Sequence, residues 1–276
     1  MQGYGYYNGE FAPIEDIRLS LSDRSIFFGD GIYDAAIGKN GQIYLLSLHI
    51  ARFQKNAAKM KLKNDYTEDG LREILSEAVR RADIPEFFLY FQLSRRCDGR
   101  VHSYLRADGS SLLVTVTPFS EEKIKESLDV ITAEDLRYYL CDVKTVNLLP
   151  AVLASGEAEA RGCDEAVFLR AGAVTECAHS NIFILKNKTL YTHPTGSLIL
   201  PGITRRELIR AGEELGIKTV ATPFSLAQMM PADEVIITST TKFARPVSSV
   251  DGIPVGGRDP GTLKLLQERL KNNIVT

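Results

Sequence analysis

The chain has 276 residues, of which 44% are hydrophobic and 25% charged, an ordinary globular composition outside the disordered, collagen-like and membrane classes. Lys plus Arg number 33 against 35 Asp plus Glu, a formal net charge of −2, and no block of like charge is long enough to follow a phosphate backbone, so nucleic acid is not an expected partner. The length predicts about two domains.

In chain order, MQGYGYYNGEFAPIED carries no basic n-region and no apolar h-region, so a cytoplasmic protein is expected. Tyr4 to Tyr7 and Phe11 to Ile14 flank Asn8-Gly9, and Ala35 to Lys39 and Gln42 to Leu46 flank Asn40-Gly41. Both read as hairpins, because Asn-Gly tolerates the positive φ of a type I′ turn. From Ser47, apolar residues recur at helical spacing at Ile50, Phe53, Ala57 and Met60, and Thr67 opens a second helix with Leu71, Ile74, Leu75, Ala78 and Val79. Strands are expected at Glu86 to Ser94 and Ser111 to Thr117, giving an antiparallel sheet with helices packed on it.

A short polar stretch around residues 119–126 predicts a linker between a smaller N-terminal domain, 1–118, and a larger C-terminal one, 127–276. Beyond it, strands are expected at Leu128 to Ala133, Leu136 to Cys141, Asp164 to Leu169, Asn181 to Leu185, Thr189 to Tyr191, Lys218 to Ala221 and Glu234 to Thr238. Helices are expected at Leu149 to Arg161, ended by Gly162, at Thr204 to Leu215 and at Gly261 to Lys271. Without regular βαβ alternation this is an α+β chain with two sheets. The apolar run Leu148 to Ala154 is far short of the ~20 residues of a spanning helix, so no membrane contact is expected.

Cys97, Cys141, Cys163 and Cys177 make no CxxC pair, and His49, His102, His179 and His193 make neither HExxH nor HxH. Free thiols and no metal site are the expectation. The dinucleotide, P-loop and nucleophile-elbow signatures are also missing. Lys144, between an expected strand and a largely apolar helix start, reads either as a surface lysine or as a desolvated amine suited to Schiff-base chemistry. Pro201-Gly202-Ile203-Thr204-Arg205 and Thr238-Ser239-Thr240-Thr241 read either as an ordinary N-cap and turn or as phosphate-binding segments. Arg52 reads as a solvated helix residue or a phosphate anchor.

Taken together, Phe28-Gly29-Asp30-Gly31-Ile32-Tyr33-Asp34, His49-Ile50-Ala51-Arg52, Lys144-Thr145-Val146-Asn147, Val174-Thr175-Glu176 through Ser180-Asn181, Pro201 to Arg205 and Thr238 to Thr241 resemble, in order and spacing, the fold-type IV pyridoxal phosphate (PLP) enzymes. The resemblance runs from about residue 4 to the last helix. It implies two α/β domains, each with a mainly antiparallel sheet, with the cofactor between them. It also implies that Lys144 is the Schiff-base lysine and proton shuttle. Glu176 then meets the pyridine nitrogen, and Arg52, Ile203, Thr204, Ser239 and Thr240 cradle the phosphate. Tyr138 falls near an aromatic position of the family but is not ranked with these.

The stretch Arg95-Arg96-Cys97-Asp98-Gly99-Arg100-Val101-His102 is similar to the D-amino-acid aminotransferase branch. There Arg100, His102 and Tyr33 form the trap for the substrate carboxylate, the R-x-H pair reaching a partner subunit, so a homodimer is implied. The branch's own pattern differs at Asp34, usually Glu, and at Cys177-Ala178-His179, where small hydroxyl residues are typical. The implied reaction is ping-pong transamination between a D-amino acid of the D-alanine or D-glutamate type and a 2-oxo acid, through a Lys144 aldimine. Branched-chain and (R)-amine aminotransferases, aminodeoxychorismate lyase and a non-catalytic PLP-binding protein are the alternatives.

Overall fold

A computed structural model describes residues 3–275. The chain divides into two compact units. The first holds the chain up to Glu122 together with Val143–Asn147, and the second holds Lys123–Asp142 and the chain from Leu148 onward.

In the first unit, β1 (Tyr4–Tyr7), β2 (Glu10–Pro13), β3 (Gly31–Lys39), β4 (Gln42–Ile43), β5 (Glu86–Arg96) and β6 (Gly109–Pro118) form one sheet in the order β2-β1-β6-β5-β3-β4. Every pairing in it is antiparallel. Both expected hairpin turns form, with Asn8 at φ 48, Gly9 at 108, Asn40 at 50 and Gly41 at 81. The unit also holds α1 (Ser25–Phe28), α2 (Leu46–Lys59) and α3 (Glu68–Ala82). Thr67 caps α3 by accepting the Gly70 N–H. The strand period of two and the helical period of 3.6 meet in one core: Leu89, Phe91, Leu112, Val114 and Val116 pack with Ile50, Phe53, Ala57, Leu71 and Leu75. Burying each of the larger side chains stabilises the unit by roughly 1.5–3 kcal/mol.

The second unit contains β7 (Leu128–Glu134), α4 (Leu149–Ala160), β8 (Glu165–Arg170), β9 (Ala173–Cys177), β10 (Asn181–Lys186), β11 (Thr189–Thr192), α5 (Ile203–Glu214) and β12 (Lys218–Ala221). It continues with β13 (Phe224–Ser225), α6 (Leu226–Met229), β14 (Glu234–Ser239), β15 (Phe243–Val250), β16 (Ile253–Pro254) and α7 (Pro260–Val275). Its strands run β12-β11-β10-β14-β15-β7-β8-β9-β13, with β16 on β15. The pairs β11 with β12, β15 with β7 and β7 with β8 are parallel. Helix α5 makes the crossover from β11 to β12, and α4 lies on the path from β7 to β8, as parallel neighbours require.

The expected strand from Leu136 to Cys141 does not form. Leu136, Tyr138, Tyr139 and Leu140 stand 66, 61, 69 and 46% exposed, and no strand among the described residues pairs with them; instead Asp135 and Arg137 turn inward to each other. Strands β9 and β15 have no counterpart among the sequence expectations, although β15 lies at the centre of the sheet.

Candidate active site

Lys144 lies in the segment Val143–Asn147 that the first unit takes back from the later chain. The Tyr33 N–H donates to the Lys144 carbonyl at 2.9 Å and the Val146 N–H to the Gly31 carbonyl at 3.1 Å, so the segment runs beside the start of β3. Val143 plugs into the core of the unit. The Lys144 amine, half-buried, stands 4.2 Å from the centroid of the Tyr33 ring. Tyr33 is itself stacked on Tyr90 at 5.3 Å. Among the described residues of its unit the amine has no carboxylate partner, so it is a lysine held in place by backbone rather than by an ion pair.

Strand alternation turns Asp34 to the opposite face from Tyr33, toward α2. There His49 and Arg52, three residues apart on one helix face, both reach it. Asp34 accepts from His49 Nδ1 at 2.7 Å, from Arg52 Nε and Nη2 at 2.8 Å each, and from the Ala35 N–H at 2.8 Å. Burial alone would push its carboxyl up, but the Arg52 guanidinium and the His49 ring outweigh burial and hold it well below the usual carboxylate range. Arg52, expected as a phosphate anchor, is therefore oriented by a buried carboxylate. Arg100 and His102 lie together on an exposed loop, Arg100 4.9 Å from the centroid of the Phe28 ring and His102 5.1 Å from it.

In the second unit Glu176, on β9, is 5% exposed. Its Oε2 accepts from Asn181 Nδ2 at 2.8 Å and from the Leu200 N–H at 3.0 Å, while Oε1 meets the Arg137 guanidinium. Asn181 Nδ2 also donates to the Leu200 carbonyl at 2.9 Å, and Asn181 pairs with Thr238 across the β10–β14 ladder. That register gathers three expected groups at one end of the sheet: Glu176, the Ile203–Thr204 start of α5, and Ser239–Thr240 at the end of β14. The leading N–H groups of α5, those of Ile203 and Thr204 among them, have no intrahelical carbonyl and sit at the positive end of the helix dipole. Thr238 Oγ1 and Arg205 Nε are buried with no hydrogen-bond partner among the described residues.

Sequence reasoning missed Arg137, since an arginine between Leu136 and Tyr138 has no local signature. Its Nε and Nη2 each meet Asp135 at 2.9 Å. Burial would lower its basicity, but the carboxylates of Asp135 and Glu176 outweigh burial and raise it. His179, where the pattern usually has a small hydroxyl residue, donates through Nδ1 to the buried Glu165 at 2.5 Å, and Ser180 and Lys242 donate to the same carboxylate at 2.9 Å each. Lys242 in turn donates its backbone N–H to Ser239 Oγ at 3.1 Å. Burial pushes the Cys177 thiol up, which keeps it an unreactive neighbour of Glu176. Tyr138 lies at the surface.

The amino-transferase class IV family matches residues 31–250 of this chain. The chain is 35% identical over 277 residues to the D-alanine aminotransferase of Bacillus licheniformis, a match covering 98% of this chain and 96% of that one. It is 36% identical over 268 residues to the D-alanine aminotransferase of Listeria monocytogenes serotype 4b (strain F2365), covering 94% and 92%. Among solved structures, the branched-chain aminotransferase of the thermophilic archaeon Thermoproteus uzoniensis with norvaline matches with a TM-score of 0.87 at 24% identity, over 98% of this chain and 95% of that one. That last likeness concerns the fold.

Proposed function

This chain belongs to the amino-transferase class IV family, and we propose that it moves the amino group of a D-amino acid of the D-alanine type to a 2-oxo acid, using pyridoxal 5'-phosphate. The observation that carries this reading is the Lys144 amine, fixed by backbone bonds to β3 and set over Tyr33 with no carboxylate partner among the described residues of its unit. A lysine that must condense with an aldehyde cannot be committed to an ion pair. The D-alanine aminotransferase relatives support the donor.

The donor set fits the cofactor. A phosphate dianion needs free N–H groups and hydroxyls, which the start of α5 with Ser239 and Thr240 offers, and the buried Thr238 hydroxyl and Arg205 Nε, unpartnered among the described residues, stand in the same part of the unit. A pyridine nitrogen needs a fixed carboxylate, and Glu176 has one with donors on both oxygens. The chemistry that pyridoxal 5'-phosphate supplies when bound is an aldehyde for amines and a ring that accepts the electron pair left as the α-proton departs.

The chain's own residues do the rest. With the cofactor bound, Lys144 Nζ would hold it when no substrate is present and, once freed, would serve as the base that takes the α-proton of the amino acid and as the acid that gives it back. Glu176 would keep a proton at the ring nitrogen. Arg52, the Ile203 and Thr204 N–H groups, Ser239 and Thr240 would hold the phosphate. Tyr33, Arg100 and His102 take the substrate carboxylate, with charge-assisted bonds from the guanidinium. One site serves donor and acceptor in turn, so ping-pong kinetics follow.

The protein works as a homodimer in the cytoplasm on this reading. Large apolar side chains are exposed at Leu136, Tyr138, Tyr139, Leu149, Val152 and Leu153, which supports association with a second copy. No helix among the described residues is long and apolar enough to cross a membrane.

A donor panel tests the reading. With 2-oxoglutarate as acceptor, D-alanine should give the highest kcat/KM among D-alanine, L-leucine and (R)-1-phenylethylamine, and aminodeoxychorismate should release no pyruvate. A preference for L-leucine would sink the D-specific claim.

A further inference from the structure

We propose that Arg24 is the positioning residue for Arg100 and His102, an inference that rests on the carboxylate-binding role given to that pair above. Arg24 is 4% exposed. Its Nε donates to Asp30 Oδ2 at 2.8 Å, Nη1 donates to the Val101 carbonyl, and Nη2 donates to the His102 carbonyl at 3.1 Å. Two of its three nitrogens are thus given to the backbone of the loop that carries the pair, across a sequence separation of 77 and 78 residues.

The clamp is anchored at its other end. Asp30 Oδ2 also accepts from Arg95 Nε at 3.0 Å, and Arg95 donates to the carbonyls of Lys61 and Met60 at 2.8 Å each. The result is a chain of contacts from the end of α2 through Arg95, Asp30 and Arg24 to the loop at Val101 and His102. Among the described residues, the side chains it presents have no such anchor. Arg100 and His102 are exposed and lie against the Phe28 ring, on which Arg24 itself rests at 4.6 Å. The direction of both side chains therefore follows from where Arg24 holds the peptide groups around Val101.

Only a planar fork can do this. A lysine at position 24 can keep the charge facing Asp30 but cannot reach a carboxylate and two carbonyls at fixed angles together. The expected consequence is a loss in substrate binding rather than in the proton-transfer step.

The test uses the PLP-loaded enzyme with D-alanine and 2-oxoglutarate. Arg24→Gln and Arg24→Lys should raise the KM for D-alanine by ~10- to 100-fold, the range set by losing charge-assisted hydrogen bonds. kcat and cofactor absorbance should change little, whereas the melting temperature should fall, since a buried guanidinium paired with Asp30 is lost. In an Arg100→Ala background, Arg24→Gln should add much less than it does in the wild type, because one of the two side chains it acts through is already removed. Losses that multiply in the double variant, or a fall confined to kcat and cofactor retention, would overturn the inference. If Arg24→Gln does not fold, Arg24→Lys carries the test, since it keeps the charge facing Asp30 while losing the fork; a wild-type KM there would count equally against it. An Arg100→Ala enzyme with wild-type KM contradicts the carboxylate-binding reading itself. A raised KM for Arg100→Ala beside an unchanged Arg24→Gln overturns the positioning role alone.

Discussion

Arg137 lays one edge of its guanidinium on the buried carboxylate of Glu176 and clasps Asp135 with the other. Asp135 is 6% exposed and Glu176 5%, so Arg137 bridges two carboxylates that water hardly reaches, and Arg170 Nη2 also meets Asp135 Oδ1 at 3.0 Å. Replacing Arg137 by Met should destabilise the protein by roughly 3–5 kcal/mol, the cost of removing one partner from a buried ion pair. Urea denaturation measures this. Adding Asp135→Asn should return part of the loss, whereas independent sites would simply add.

The Asp34 cluster makes a pH prediction. Its carboxyl is held below its unfolded value, because Arg52 and His49 outweigh the burial that opposes them. Such a group contributes stability that is present above the unfolded value, about 3.9 for an aspartate, and is lost as pH falls below that value toward the folded one. Asp34→Asn should therefore be much less stable than wild type at pH 7. The gap should narrow as pH falls below about 4. A gap that stays constant down to acid unfolding would contradict the pairing.

Gly202 stands against Asn181. A Cβ built on Gly202 would lie 2.0 Å from Asn181 Oδ1, and Asn181 is the residue that holds both Glu176 and the Leu200 carbonyl. Gly202→Ala should cost about 1–3 kcal/mol by overpacking. It should also weaken cofactor retention, measured as the PLP concentration needed to restore activity to the apoenzyme.

Glu165 separates its donors by burial. His179 is 56% exposed, whereas Lys242 is 17% exposed. His179→Ala, with Ser180 and Lys242 still in place, should change stability by less than about 1 kcal/mol. Lys242→Met should cost clearly more in the same thermal melt, because it removes the better-buried cation from a fully buried carboxylate. Equal effects would mean that burial does not rank these partners.

Much of this is legible in the sequence for local reasons. Asn-Gly pairs set both hairpins, apolar spacing sets α2 and α3, and the Thr67 cap fixes where α3 starts, since each depends on neighbours a few residues away. The misreadings depend on distant ones. Leu136 to Cys141 has strand composition, but no edge among the described residues is there to pair with it. Strand β9 follows a turn at Ala171-Gly172, at φ 49 and 79, a pair without the usual Asn or Asp signal. Strand β15 contains Arg245 and Pro246, yet it is paired on both sides. The residues expected to carry chemistry are visible as motifs. Arg24 and Arg137, which hold several of them in place, are not, and neither is the role of Asn181 as a clamp on Glu176, because their partners lie at sequence positions that no local pattern connects.

Borohydride reduction of the enzyme loaded with pyridoxal 5'-phosphate, followed by mass-spectrometric mapping of the modified residue, addresses Lys144 itself. Reduction fixes the cofactor to whichever amine holds it. A single phosphopyridoxyl group is expected on the peptide carrying Lys144, lost when D-alanine is added before the reductant. A group on Lys61, Lys242 or any other lysine, or a label on Lys144 that D-alanine does not displace, would refute the role given to Lys144.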